Sequence, residues 1–316
     1  MEISCVYLET IMKKGWFTIL ILTSVTLSAQ NLIVVENGEA FIKHDHNFIR
    51  NLGRLNGSSE SFESHLNLFT FKERFEFLNQ NTALNIDYNN VTYTYVKKFL
   101  SYRWYPKIIG LSVYYFPLFE SKLDKYGVPR ELKYLAVVES ALNPRAGSWA
   151  GASGLWQFMP ATGSEYGLRR TQYVNTFYDP VSNADAAARY LRDLYKIYKN
   201  WNLAISAYNC GPGNVNRAIK KAGSRNYWQI RPYLPKETQA YVPSFIAVNY
   251  IFNFYRAHQM QPNYFKYSFF DLKMIKVHTD TSFKELSGKF DINILRFANP
   301  QFSTDHIPAG SIVYVK

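Results

Sequence analysis

The sequence predicts a mainly α protein: a helical domain over residues 102–262, a helical N-terminal extension over 30–101, and a small α+β C-terminal module over 272–316. Three observations predict it. Apolar residues between Tyr102 and Gln261 recur at three- and four-residue steps, the period of helices that each bury one face. After Pro262 the pattern changes to short strand-like and helix-like runs. Finally, 47% of the 316 residues are hydrophobic and 17% are aromatic, enough apolar surface for packed units and too much for a chain disordered throughout.

Taken in order, the first residues read as an address. Met12, Lys13 and Lys14 form a charged start, Trp16 to Leu27 an apolar run, and Thr26-Leu27-Ser28-Ala29 a small-residue end. This is the pattern of an export signal over residues 1–29, starting at Met12 and cleaved before Gln30. The run is too short to span a bilayer. The expected product is exported to the periplasm or cell envelope. It retains one thiol, Cys210, has no internal disulfide, and has no cysteine directly after the cleavage point to accept a lipid.

Within 30–101, Phe69, Lys72, Phe75, Glu76 and Leu78 follow a helical pattern. His44, Asp45 and His46 carry ligating side chains, yet no further ligand lies at useful spacing. They are read as a solvated loop, and no metal or cofactor is expected. Lys and Arg outnumber Asp and Glu by 36 to 24, so the chain carries +12 and is drawn to polyanions. The basic residues are scattered and no recognition motif appears, which argues against nucleic acid as partner.

In the helical domain, Tyr114, Leu118 and Leu123 mark one helix, closed by Gly127 and Pro129. Ala184, Ala187, Leu191, Leu194 and Tyr198 mark another, with Ser182 or Asn183 as its expected cap, and Asp179, before Pro180 at the helix approach, is also read as a capping residue. A last long helix is expected from Lys236 to His258. The helix starting near Pro129 holds an anomaly: Leu132, Leu135, Ala136 and Glu139 share one stripe, so a carboxylate is aimed inward with the apolar residues. Burial without a cationic partner favours the protonated acid, which suits a proton donor near neutral pH. An inward glutamate can equally be held by an arginine or by backbone donors.

Pro144 is expected to stop this helix and leave Glu139 and Ser140 at the lip of a turn. Gly147, Gly151 and Gly154 then make a glycine-rich loop ahead of Leu155 to Pro160, a candidate groove wall. Ala207 to Gly213 reads as a second loop, which sets the phenol of Tyr208 beside the amide of Asn209, a mixture suited to sugars. In the tail, Met274–Val277, Ser282–Phe290, Asn293–Ala298 and Ser311–Val315 read as strand, helix, helix and strand.

These residues fall into motifs. Glu139-Ser140 comes first, followed by Gly151-Ala152-Ser153-Gly154-Leu155-Trp156-Gln157-Phe158-Met159-Pro160 with Thr162 and Gly163, then Asp179-Pro180 with Asn183, Tyr190 and Leu191. Ala207-Tyr208-Asn209-Cys210-Gly211-Pro212-Gly213 and Glu237-Thr238-Gln239-Ala240-Tyr241-Val242 complete the series. In order and spacing the series resembles the lytic murein transglycosylases of the lysozyme-like superfamily, and is most similar to the membrane-bound D group. The tail from Ile275 resembles a LysM carbohydrate-binding module. Thr279-Asp280-Thr281-Ser282 stands at its opening, and Asn299-Pro300 and Ile307-Pro308-Ala309-Gly310 at later positions, while His278 and Thr279 depart from the common pattern.

The resemblance implies a goose-type lysozyme-like catalytic domain acting on the glycan strands of peptidoglycan. It implies Glu139 as acid and then base, with Ser140, Gln157, Phe158, Met159, Tyr208, Asn209, Glu237 and Tyr241 around the substrate. It also implies that the bond between N-acetylmuramic acid and N-acetylglucosamine is cleaved without water, by closure of a 1,6-anhydro ring on the muramoyl residue. A monomer is expected, with peripheral association to membrane or wall. Two alternatives stay open: a goose-type lysozyme that hydrolyses the same bond, and a wall-binding protein without catalysis.

Overall fold

The computed structural model describes residues 19–20, 32–36, 39–43, 68–82, 84 and 86–316, with side chains from Phe69 onward. The His44, Asp45 and His46 stretch and most of the export-signal segment lie outside the described residues. Three short strands, β1 (Ile19–Leu20), β2 (Leu32–Glu36) and β3 (Glu39–Lys43), form an antiparallel sheet in the order β1-β2-β3. Leu32 pairs with Lys43 and Glu36 with Glu39. The extension expected to be helical therefore begins with a hairpin. The reason is visible in the residues: β-branched and aromatic runs flank Asn37-Gly38, the dipeptide that most favours a two-residue hairpin connection.

Helices follow from Leu68. The extension supplies α1 (Leu68–Gln80) and α2 (Asn90–Leu100). Asn89 caps α2, its side chain accepting from the Val91 and Thr92 amides while Thr92 Oγ1 accepts from the Asn89 amide. The central domain contains α3 (Tyr105–Lys125), α4 (Tyr134–Ser140), α5 (Pro160–Glu165), α6 (Pro180–Tyr198), α7 (Trp201–Cys210), α8 (Pro212–Ala222), α9 (Tyr227–Ile230) and α10 (Lys236–Phe254).

The core is organised around α10. Nearly every residue from Tyr241 to Phe254 is buried, as befits a helix apolar on all sides, and α2, α4 and α7 pack against it. Phe71 and Phe75 of α1 close on Tyr250 with ring centroids 5.4 and 5.9 Å away, so the extension shares this core.

Beyond α10 the chain forms β4 (Lys273–Lys276), β5 (Thr281–Ser282), α11 (Phe283–Leu286), α12 (Ile292–Ala298), β6 (His306–Ile307) and β7 (Ile312–Val315). β4 pairs antiparallel with β7, Lys273 opposite Val315, and β5 with β6. The expected strand, helix, helix, strand order is present, and β5–β6 adds a second ribbon. Val277, Phe283, Leu295, Phe302, Ile307, Val313 and Val315 form a separate small core there.

Candidate active site

Glu139 lies in the last turn of α4. A 3-10 turn, Arg130–Lys133, leads into this short helix, so the regular α segment starts later than the Pro129 expectation. The inward stripe is real: Leu132, Leu135 and Ala136 are fully buried. Pro144 is not what stops the helix. Ala141 and Leu142 both take left-handed backbone angles, φ 51° and 62°, which terminates α4 directly after Ser140. Left-handed residues without glycine carry a cost of order 1 kcal/mol each. Full burial of the Leu142 side chain offsets it.

Glu139 is half-buried and lines a cavity of about 720 Å³. The Tyr241 hydroxyl donates a hydrogen bond to its Oε1. Among the described residues no cation pairs with it. Burial pushes its carboxyl up to about 7, against the opposing pull of the Tyr241 hydrogen bond, and the nearby charge of Glu237 adds to the rise. The phenols of Tyr241 and Tyr208 are raised well above their ordinary range by burial and stay protonated.

The cavity wall is the irregular segment from Gly147 to Met159, in which Ser153 and Phe158 exchange both backbone hydrogen bonds, at 3.0 and 3.1 Å. Gly154 has φ +87°, and a Cβ there would stand 2.0 Å from the Phe177 carbonyl oxygen, so no other residue fits without rebuilding the wall. Trp156 is fully buried behind it, and its amide donates to Asn183 Oδ1 at 2.9 Å. Asn183 is thus a buried bracket for the wall and not the cap of α6. Asp179 caps that helix, accepting from the Ser182 amide at 3.0 Å. Gln157 sits at φ 44°, with its side-chain nitrogen 3.1 Å from Ala146 O and 2.8 Å from Gly154 O.

The opposite side comes from α7 and α10. The expected loop over Ala207 to Gly213 is mostly helix, because α7 runs to Cys210 and breaks only at Gly211 (φ 80°), where Pro212 starts α8. Tyr208 and Asn209 therefore project from a rigid last turn. Tyr208 donates to Trp156 O at 2.7 Å, closing the cavity behind Glu139. Asn209 Oδ1 accepts from Thr238 Oγ1 at 2.6 Å, which turns Nδ2 toward Glu237 Oε1 at 3.4 Å. The final helix ends at Phe254, short of the expected His258.

Glu139, Gln157, Phe158, Met159, Tyr208, Asn209, Glu237 and Tyr241 all line this one cavity. Phe158 is the buried back of the wall, against the rings of Tyr190 and Tyr208 at 6.1 Å, and Met159 is exposed at its edge. Ser140 does not line the cavity; its hydroxyl lies 2.8 Å from Leu155 O and 3.0 Å from Ala136 O, tying α4 to the wall. The site expectation omitted Thr238, which orients Asn209, and Tyr190, which lines the cavity. Trp149 stands fully exposed between the cavity-lining residues Ser148 and Ala150.

A half-buried acid held by a phenol, in a cleft walled by a glycine-dependent turn, invites comparison with known proteins. Residues 117–231 match the transglycosylase SLT domain family. The segment holds Glu139, the wall and the Tyr208-Asn209 turn, while Glu237 and Tyr241 lie beyond it. The chain is 38% identical over 133 residues to membrane-bound lytic murein transglycosylase D of Escherichia coli, a match covering 40% of this chain and 29% of that protein. It is 31% identical over 159 residues to membrane-bound lytic murein transglycosylase C of Haemophilus influenzae, covering 43% of each. The matches thus span less than half the length of these relatives.

Among solved structures, the 70 kDa soluble lytic transglycosylase of Escherichia coli aligns at 22% identity and a TM-score of 0.42, covering 68% of this chain and 34% of that one. An inactive mutant of the lytic transglycosylase Slt of Pseudomonas aeruginosa aligns at 24% identity and a TM-score of 0.39, covering 48% and 25%. The resemblance drawn from the sequence motifs is found again in the family match over residues 117–231 and in the two curated relatives.

Proposed function

We propose that this protein is a lytic transglycosylase that cleaves the glycan strands of peptidoglycan between N-acetylmuramic acid and N-acetylglucosamine, with Glu139 as both acid and base. The observation that carries the proposal is the placement of Glu139: a half-buried carboxyl raised to about 7, lining a cavity and paired with no cation among the described residues. At neutral pH such a group populates both protonation states. Because Tyr241 donates to Oε1, Oε2 is the oxygen free to deliver the proton.

In the first step the Glu139 proton passes to the bridging oxygen, the muramoyl C1–O bond breaks, and the N-acetylglucosamine side leaves as an alcohol. The substrate's own acetamido group helps to stabilise the cationic centre. In the second step the Glu139 carboxylate takes the proton of the muramoyl C6 hydroxyl, and the C1–O6 bond closes the anhydro ring. No water enters and Glu139 ends protonated, ready for another cycle. Hydrolysis by paired carboxylates would need a second residue as base or nucleophile. The other carboxylate of the cavity, Glu237, is exposed at its rim beside Asn209.

The same reading takes residues 1–29 as an export signal, places the protein in the periplasm or cell envelope, and takes 272–316 as a LysM-like module on a monomeric enzyme. The curated relatives named above are called membrane-bound, and no described helix of this chain is long and apolar enough to cross a membrane. The +12 charge favours approach to an anionic wall polymer. Digestion of purified sacculi by the wild-type protein and by Glu139→Gln tests the reading: release of soluble fragments by the first and none by the second is expected, and equal release would refute it.

A further inference from the structure

The C-terminal module does not hang from the central domain. Its segment Pro300-Gln301-Phe302-Ser303 is gripped from two sides. On one side Arg145 donates through Nε to Pro300 O at 3.2 Å and through a terminal nitrogen to Phe302 O at 2.9 Å. On the other, the Asn175 amide donates to Gln301 O at 2.8 Å, and the Ser303 amide to Tyr173 O at 3.1 Å. Pro300, Gln301 and Phe302 are buried there. Tyr314 adds a hydrogen bond to Asp179 Oδ1 at 3.2 Å, and its ring packs on Phe269 at 4.9 Å.

Both sides of the grip lead to the cavity wall. The residue after Arg145 is Ala146, whose carbonyl accepts the Gly154 amide at 2.9 Å and the Gln157 side chain at 3.1 Å. Asn175 leads to Phe177, whose carbonyl oxygen and ring abut Gly154 and Gly163, and then to Asp179 at the start of α6, the helix that carries Asn183. The wall turn thus hangs between two strips of chain, one tied to residues 300–303 by the Arg145 side chain and the other by the backbone of Tyr173 and Asn175. We propose that Arg145 is a positioning residue through which the C-terminal module braces the cavity wall, so that the module is part of the catalytic unit. Its role at the cavity rests on the functional reading above; the bracing itself does not. A guanidinium suits this position because its planar fork reaches two carbonyls at once, which an ammonium cannot do with the same geometry.

The test uses the full chain and two variants, Arg145→Ala and Arg145→Lys, followed by hydrogen exchange and by steady-state cleavage of glycan strands. Bracing predicts faster amide exchange both at residues 299–303 and across 146–158 in each variant. It also predicts a fall in kcat of about ten-fold with KM within about two-fold, as expected when a reacting group is misplaced and binding area is kept. The pH profile should keep its wild-type midpoint, since Glu139 itself is untouched. Faster exchange confined to 299–316, or unchanged kcat in both variants, would overturn the bracing. If the alanine variant loses its cooperative melt, the lysine variant carries the comparison. Should the wild-type protein cleave nothing, the functional reading fails while the exchange pattern still decides whether the wall is braced.

Discussion

Tyr241 and Glu139, 102 positions apart in the chain, meet at the floor of the cavity, with the phenol hydrogen on Oε1 of the carboxyl. The contact ties α10 to α4 and favours the carboxylate, against the burial that favours the acid.

Tyr241→Phe removes a hydrogen bond that favours the charged form. The Glu139 carboxyl should then titrate above its value of about 7, and the alkaline limb of kcat/KM should move to higher pH. Because the free enzyme must hold the proton, the variant should keep a larger share of its pH 6 kcat/KM at pH 8 than the wild type does. A pH–rate profile of the variant checks the shift, and an unmoved limb would contradict it.

In the wild-type protein kcat/KM should fall about ten-fold per pH unit above about 7, on a single ionisation, because the free enzyme must hold the proton. Glu237→Gln should lower the apparent midpoint slightly toward the ordinary carboxylate range, since the Glu237 charge contributes to the rise, while cleavage persists. Loss of cleavage as complete as in Glu139→Gln would instead mark a two-carboxylate mechanism.

Stability should follow the same titration. The folded carboxyl of Glu139 binds its proton more tightly than the unfolded one, about 7 against 4.5. The folded state therefore gains from the neutral acid below about pH 4.5, and this gain is lost as pH rises through about 7. Glu139→Gln, neutral at every pH, should match the wild type near pH 4 and exceed it by about 1–3 kcal/mol at pH 8. Urea unfolding at the two pH values measures the difference, and a glutamine variant less stable at pH 8 would contradict it.

Gly154→Ala places a Cβ 2.0 Å from the Phe177 carbonyl at a left-handed φ, so the wall must shift. A loss of more than about 2 kcal/mol in unfolding free energy is expected, with cleavage lost too. Asn183→Leu should cost about 1–3 kcal/mol by leaving the buried Trp156 amide without its acceptor. Melting curves of the two variants, each at or above wild-type stability, would remove the bracket.

Glu139 was legible in the sequence because its stripe is local: Leu132, Leu135 and Ala136 fix which way the helix faces. The wall was legible as well, since glycines at close approaches leave a mark in composition. The Tyr241 contact was not, because helix periodicity says which residues face inward and nothing about which distant residue they meet. Asn183 looked like a cap because it stands near a helix start; the capping role of Asp179 was legible from its place before Pro180, whereas the contact of Asn183 with Trp156 was not. The Tyr208-Asn209 turn looked like a loop because Gly-Pro-Gly follows it, yet one glycine is enough to break the helix. The docking of residues 300–303 rests largely on backbone carbonyls and amides, which carry no sequence signature.

The most direct test of a single carboxyl serving both proton steps is digestion of sacculi in water labelled with heavy oxygen, followed by mass spectrometry of the released fragments. The account predicts muramoyl ends closed as the 1,6-anhydro ring and free of label. Reducing ends carrying the heavy oxygen would show that water completes the reaction and would contradict it.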